Sequence, residues 1–393
     1  VSNDDAGQDH TSHDHSAHDH SAHDHAQSQV PTDESRKPIR QEKQKATEEI
    51  TELAPGVLRS QLPIELPGLG HVNCYMLQDG DGVALVDPGL PGDDNYRALV
   101  HRLDLAGYQV SDVHTVICTH SHPDHFGGAA RLSEESGADI VTHESFGQAW
   151  VQMDDPEFFD LDGEPVDVDP NDPLKGTPWD ERRLKTPWGT IRKPPPPEIF
   201  DIVREDDDIN RFRMPRPSHR IVDGQIITLA RREWVAVHTP GHTADHLCLF
   251  DPVEGIMLSG DHVLPTITPH IGGMFQDIDP LQQFFTSLDR MHTFDNVRLV
   301  LPAHGHPFED LSGRATEIVE HHQERLQQLV DEAEAGEAAT VTDYMKTLFR
   351  ERSWGDMAES ETYAHLDHLK RTGRLSSADH DGMMTFSLPS ENV

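Results

Sequence analysis

Val113-His114-Thr115-Val116-Ile117-Cys118-Thr119-His120-Ser121-His122-Pro123-Asp124-His125 is the stretch that decides the fold. Its first half, Val113–Thr119, is apolar and β-branched, which predicts a short strand. Its second half puts three imidazoles and a carboxylate within the six residues His120–His125. His120 and His122 are two apart at the end of that strand, so both side chains can face one point. Asp124 and His125 follow on the loop and can face a second point beside it. Imidazole mixed with carboxylate suits Zn²⁺, Fe or Mn. An isolated histidine is more often structural, whereas four such groups on one strand-to-helix loop are a metal signature.

Outward from this cluster, strands and helices alternate. Val57-Leu58, Asn73–Leu77 and Val83–Val86 read as strands, and Asn95–Ala106 has helical spacing. Ala129–Ser136 reads as a helix stopped at Gly137, and Asp139–Thr142 as a further strand. Gln225–Leu229, Trp234–His238, Leu247–Phe250, Ile256–Ser259 and Val297–Pro302 continue the strands. Such alternation implies a layered α/β domain. Between about 152 and 218 the rhythm breaks into an acidic, Pro-rich insertion that includes Lys193-Pro194-Pro195-Pro196-Pro197. A long irregular stretch of this kind is expected to be a lid or an unstructured insertion.

One cluster cannot complete two coordination shells, so further ligands should lie at other strand ends. His242 in Thr239-Pro240-Gly241-His242-Thr243, Asp261 in Ser259-Gly260-Asp261 and His304 in Pro302-Ala303-His304-Gly305 each follow an apolar strand. Each has a glycine beside it, which permits a tight turn. His246 and His270 also lie near strand ends and are candidates for substrate contact, with packing roles equally open.

In this order, His120/His122/Asp124/His125, His242, Asp261 and His304 resemble the metallo-β-lactamase superfamily, over Asp87 to His304. The resemblance implies an α/β fold, a four-layer αββα metallo-β-lactamase sandwich with its site at one edge of two facing sheets. It implies that His120, His122 and His242 hold one metal and Asp124, His125 and His304 a second. Asp261 would bridge them, and Asp87 would orient the cluster loop from behind. Aspartate rather than cysteine at 261 resembles the glyoxalase II, lactonase and ribonuclease-like branches. His122 stands where the diiron flavoprotein branch carries Glu, which argues against oxygen reduction. Thr239–His246 followed by Ser259-Gly260-Asp261 resembles the β-lactamase-like protein 2 group, which also carries a C-terminal winged helix. The acidic insertion departs from that group where a substrate cleft would be bounded.

After Ser312 the pattern is helical: a long helix with Ile318, Val319, His322, Leu326, Leu329 and Val330 on one side, then helices over Thr340–Phe349 and Ala358–Thr372. A hairpin signal follows at Asp381-Gly382. The expected organisation is a His/Asp-rich tail over 1–47, a catalytic domain over 48–312 and a winged-helix-like helical domain over 313–393. Charges in this last domain are balanced to acidic, which favours packing or homodimerisation over duplex binding. The tail carries His10, His13, His15, His18, His20, His23 and His25, enough to chelate extra transition metal loosely.

Composition narrows the activity. The chain has 393 residues and a formal net charge of −38, a field that repels nucleic-acid phosphate and anionic membranes. No apolar run reaches about 18 residues, so no membrane span is expected. Cys74, Cys118 and Cys248 sit in strand-like surroundings and are expected to be buried free thiols in a reducing, cytoplasmic setting. The expected activity is binuclear hydrolysis with two Zn²⁺, Fe or Mn alternatives remaining open. A metal-bound hydroxide would attack a small-molecule ester, thioester or lactone, with Asp124 and Asp261 as catalytic carboxylates. A single-strand endoribonuclease and a one-iron persulfide dioxygenase are the alternative readings.

Overall fold

The computed structural model describes residues 40–66, 68–147, 185–192, 214–274 and 278–390. Its strands are β1 (Thr51–Ala54), β2 (Val57–Leu66), β3 (Leu69–Asp79), β4 (Gly82–Val86), β5 (Val113–Ile117), β6 (Asp139–His143) and β7 (His219–Ile221) in a first sheet, ordered β1 to β7. A second sheet is ordered β12-β11-β10-β9-β8, from β8 (Ile226–Leu229), β9 (Arg232–His238), β10 (Leu247–Asp251), β11 (Ile256–Gly260) and β12 (Leu299–Pro302). Helices α1 (Asp93–Leu105), α2 (Pro123–Phe126) and α3 (Ala129–Ser136) accompany the first sheet. Helices α4 (Pro280–Met291), α5 (Leu311–Ala335), α6 (Val341–Leu348) and α7 (Asp356–Arg371) accompany the second. A small third sheet places β15 (Met383–Ser387) between β13 (Ala339–Thr340) and β14 (Ser376–His380).

Side-chain alternation builds four layers from these parts. In β4, Val83 and Leu85 pack with Leu99 and Leu103 of α1 and Leu132 of α3. Their neighbours Ala84 and Val86 point the other way, into a core shared with Trp234, Leu247, Leu249 and Leu258 of the second sheet. In β10, Cys248 and Phe250 face away from that shared core, into a third cluster with Phe284, Leu326, Tyr344 and Leu366 of the helices. Helices, sheet, sheet, helices is therefore the order of burial, the αββα sandwich that the resemblance implied. The three cysteines are buried free thiols. Among the described residues no helix is long and apolar enough to cross a membrane.

The structure departs from the sequence reading in three places. Residues 40–47 are not tail. Gln41–Lys43 form a 3-10 turn, and Glu42, 1% exposed, accepts a hydrogen bond from Thr266 Oγ1 at 2.8 Å. Within the acidic insertion, residues 185–192 fold back as a bridge between Lys185 and Ile191. Trp188 is buried there, and its Nε1 donates to Glu359 of α7. The other residues of that expected lid, apart from 214–218, and residues 1–39 of the tail lie outside the described residues. The C-terminal helices also share one continuous core with the outer face of the second sheet. The helix, helix, hairpin order is present, with positive φ at Asp381 and Gly382 in the turn.

Candidate metal centre

Five strands end at one edge of the sandwich. β4 runs parallel to β5, and β11 parallel to β12. Because β10 is antiparallel to both β9 and β11, β9 runs with β11. The C-terminal ends of β4, β5, β9, β11 and β12 thus deliver Asp87, the His120–His125 loop, His242, Asp261 and His304 to the same place. Backbone bonds clamp the two sheets there: Leu247 N donates to Thr119 O at 2.8 Å and Asn73 N to Ala303 O at 2.7 Å.

Two glycines make the turns feasible. Gly260 has φ +50°, and a Cβ on it would stand 2.6 Å from His246 Nε2. Gly241 has φ +144°, and a Cβ on it would stand 2.4 Å from Phe284 Cβ. Any other residue would force Asp261 or His242 away from the edge. Pro123 opens α2 with His122 at its cap, which turns Asp124 and His125 back toward the cluster.

The sequence-predicted ligands converge in two halves. His122 Nδ1 lies 3.0 Å from both His120 Nε2 and His242 Nε2. Asp124 Oδ2 lies 3.4 Å from both His125 Nε2 and His304 Nε2. Asp261 stands between the halves. Its Oδ2 is 3.5 Å from His242 Nε2 and 3.7 Å from His125 Nε2, and its Oδ1 is 3.4 Å from His304 Nε2. The structure thus groups His120, His122 and His242, then His120, His125 and Asp261, then Asp124, His125 and His304, each as a potential metal-holding set.

Behind these groups, the opposite ring nitrogens are tied down. Asp87 sits at φ +58°, and its Oδ1 accepts from Thr119 N at 2.8 Å. Its Oδ2 accepts from Thr119 Oγ1 and from His125 Nδ1, both at 2.9 Å. Thr119 Oγ1, whose proton goes to Asp87, takes a hydrogen bond from His120 Nδ1 at 3.0 Å. His242 Nδ1 donates to the carbonyl of His270 at 2.6 Å, and His304 Nδ1 to that of His71 at 2.8 Å. His120, His125, His242 and His304 are therefore held with Nδ1–H donating outward and Nε2 turned inward, the orientation a cation needs.

The electrostatics divide the two halves. Burial pushes His122 and His242 down to about 3, and it also lowers His120, so these three rings are neutral donors. In the second half burial is outweighed: Asp124, Asp87 and Asp261 raise His125, and Asp261 and Asp124 raise His304. These two rings carry the protons that a bound cation would displace, and they hold the Asp124 carboxyl well below its usual range against the effect of burial. His125 Nε2, His304 Nε2 and Asp261 Oδ1 are buried without a hydrogen-bond partner among the described residues. Orphaned polar atoms aimed at one space in a dry interior are what a bound cation would satisfy. The residues present fit a metal centre.

Two candidate substrate contacts fare differently. His246 is fully buried. Its Nδ1 pairs with Thr239 Oγ1 at 2.7 Å, and its Nε2 accepts from the backbone N of Asp261 at 2.9 Å. One nitrogen is spent on Thr239 and the other on the backbone of Asp261, so His246 has no ring nitrogen left for a substrate and takes the packing role that the sequence also left open. His270 is 25% exposed at the rim beside His242. Sequence reasoning missed Thr119 and His71. Thr119 adjoins the cluster and could have been suspected, but His71 acts through its backbone and leaves no signal.

Comparison with known proteins follows the same lines. Residues 67–304 match the Metallo-beta-lactamase superfamily. A metallo-beta-lactamase family protein from Thermus thermophilus superposes with a TM-score of 0.69 at 28% identity, covering 86% of this chain and 100% of that one. The Beta-lactamase-like protein 2 homolog of Caenorhabditis elegans is 24% identical over 74% of each chain. An atrochrysone carboxyl ACP thioesterase of Aspergillus fumigatus is 27% identical over 43% of this chain, a match that spans only 47% of that relative. The chain belongs to the metallo-beta-lactamase superfamily of metal-dependent hydrolases.

Proposed function

We propose that the centre holds two divalent cations, zinc by the character of its donors, and hydrolyses a small-molecule thioester or related ester or lactone. The observation that carries this reading is Asp261, one carboxylate whose two oxygens face both halves of the cluster. His120, His122 and His242 would hold one ion, Asp124, His125 and His304 the other, and Asp261 both. Ions bound there supply Lewis-acid activation of water and of the acyl carbonyl.

The chain's own residues set the conditions for that chemistry. Asp87 and Thr119 fix the rings of His120 and His125 before any ligand arrives, so little reorganisation accompanies reaction. Asp124 and Asp261 are ligand carboxylates that also face any water held between the halves, and they are the acceptors available for its proton. Burial of the cluster excludes bulk water and strengthens each of these interactions.

The thioester preference is supported by the resemblance to a relative named as an acyl-carrier thioesterase. The formal charge of −38 weighs against polyanionic substrates, which need a cationic path. The test is a panel of thioesters, esters, lactones, β-lactams and a short single-stranded RNA, with metal content measured on the same sample. Turnover of an acyl substrate with zinc bound is expected. Cleavage of the RNA alone, or a single iron per chain, would overturn the reading.

A further inference from the structure

Between α5 and α7 lies a second group of buried ionisable residues, His322, Glu361 and His365, with ligand atoms within 4.8 Å of one another. Its chemistry does not suit a cation. Glu361 Oε1 accepts from Arg325 Nη1 at 2.6 Å, and Oε2 faces His270 Nδ1 at 3.3 Å, so both oxygens are engaged. The guanidinium would also repel a metal ion. His365 donates through Nδ1 to the Glu361 carbonyl at 2.7 Å, and its Nε2 lies 2.9 Å from His322 Nδ1, so both His365 nitrogens are engaged and only His322 Nε2 is buried without a hydrogen-bond partner among the described residues of this group. The cluster holds one ionised carboxylate at a fixed place. Burial works to raise Glu361, but His270 and Arg325 bring it down to about 2.

From Glu361 the contacts lead back to the metal centre. His270 contributes its ring to Glu361 and its backbone carbonyl to His242 Nδ1. The loop that carries His270 has further ties to the same helices. Gly273 N donates to Ser360 O at 3.2 Å and to Ser360 Oγ at 3.1 Å, one residue from Glu361 on α7. Arg314 of α5 donates to the carbonyls of Leu264 at 2.7 Å and Ile267 at 2.9 Å. The segment between Asp261 and α4 is thus clamped at residues 264, 267, 270 and 273 by C-terminal helices that contribute no ligand.

We propose that Glu361 is a positioning residue of the metal centre: by holding His270 it fixes the carbonyl that orients His242, so the C-terminal helices set how tightly the His120, His122 and His242 half binds its ion. This rests on reading His242 as a ligand. Metal-ligating histidines depend on the group behind them, and loss of such a partner typically weakens affinity by about 10- to 100-fold. Glu361 acts one step further back, so an effect of about 10-fold is expected.

The test uses the full chain, stripped of metal and titrated with Zn²⁺ or Co²⁺ against an excess of competing chelator. Glu361→Gln keeps the side-chain volume and removes the charge. His270→Ala keeps the carbonyl and leaves the Glu361–Arg325 pair in place, which provides a second variant if Glu361→Gln melts early. Each should weaken one of the two ions by about 10-fold and shift the Co²⁺ ligand-field bands. Because both act through one contact, the double variant should be no weaker than either single. Affinity within twofold of the parent with unaltered bands in the folded variants, or effects that add, would overturn the proposal. Retention of both ions by His242→Ala would instead overturn the ligand reading beneath it.

Discussion

Asp261 Oδ1 lies 3.4 Å from His304 Nε2, and both atoms are buried without a hydrogen-bond partner among the described residues. Polar atoms left this way in an interior cost free energy unless something binds between them. The backbone of Asp261 is secured separately, by His246 Nε2. Its side chain is therefore free to serve the centre without carrying the fold. Asp261→Ala should lower kcat by at least about 100-fold and reduce bound metal, with an unchanged far-ultraviolet dichroism spectrum. Full activity in the folded variant would remove Asp261 from the site.

Asp87 supports from behind. It fixes Thr119 and His125 directly and His120 through Thr119. Asp87→Ala is expected to weaken metal binding by about 10- to 100-fold in a chelator competition, without touching any ligand. Its φ of +58° is tolerated by Asn, so Asp87→Asn should fold and restore part of the loss.

How much of this was legible in the sequence depends on where the information lies. The ligands announced themselves because each sits just past an apolar strand with glycine beside it, and strand periodicity is local. Ala129–Ser136 was readable to the residue, since Gly137 adopts the left-handed conformation that ends a helix. The strands β1 and β7, by contrast, have too few apolar residues to stand out and exist because a neighbour pairs with them. His246 and His270 looked alike in sequence. One became interior support and the other rim, because only the folded chain shows which nitrogens are already taken. Glu361 was invisible for the same reason: its partners are 36 and 91 residues away.

The N-terminal boundary is testable by truncation. Gln44 O lies 2.7 Å from His71 Nδ1, and the next carbonyl in that chain of contacts, His71 O, holds His304. Gln41 Oε1 accepts from His306 N at 3.0 Å. Removing residues 1–39 should leave the thermal midpoint and kcat unchanged. Removing 1–47 should cost several hydrogen bonds at about 1 kcal/mol each and lower the midpoint by several degrees. Equal melting of the two truncations would show that residues 40–47 contribute nothing.

Acid should destabilise the fold beginning near neutrality. Burial lowers His143 and His365 to about 4 in the folded chain, His143 with a further contribution from the stacked ring of His238. In the unfolded chain both titrate near 6.5. The unfolded state therefore binds protons first, and stability present above pH 6.5 is lost as pH falls toward 4. Denaturant midpoints at pH 7, 6 and 5 should decline in that order. A flat profile across that window would contradict the neutral, buried assignment.

The most direct measurement is the number of metal ions held by the chain lacking residues 1–39, after dialysis against a weak chelator, with protein concentration fixed by amino-acid analysis. The two-half arrangement around Asp261 predicts two divalent ions per chain, falling to one or none in Asp261→Ala. A single ion in the parent, unaffected by that substitution, would contradict it.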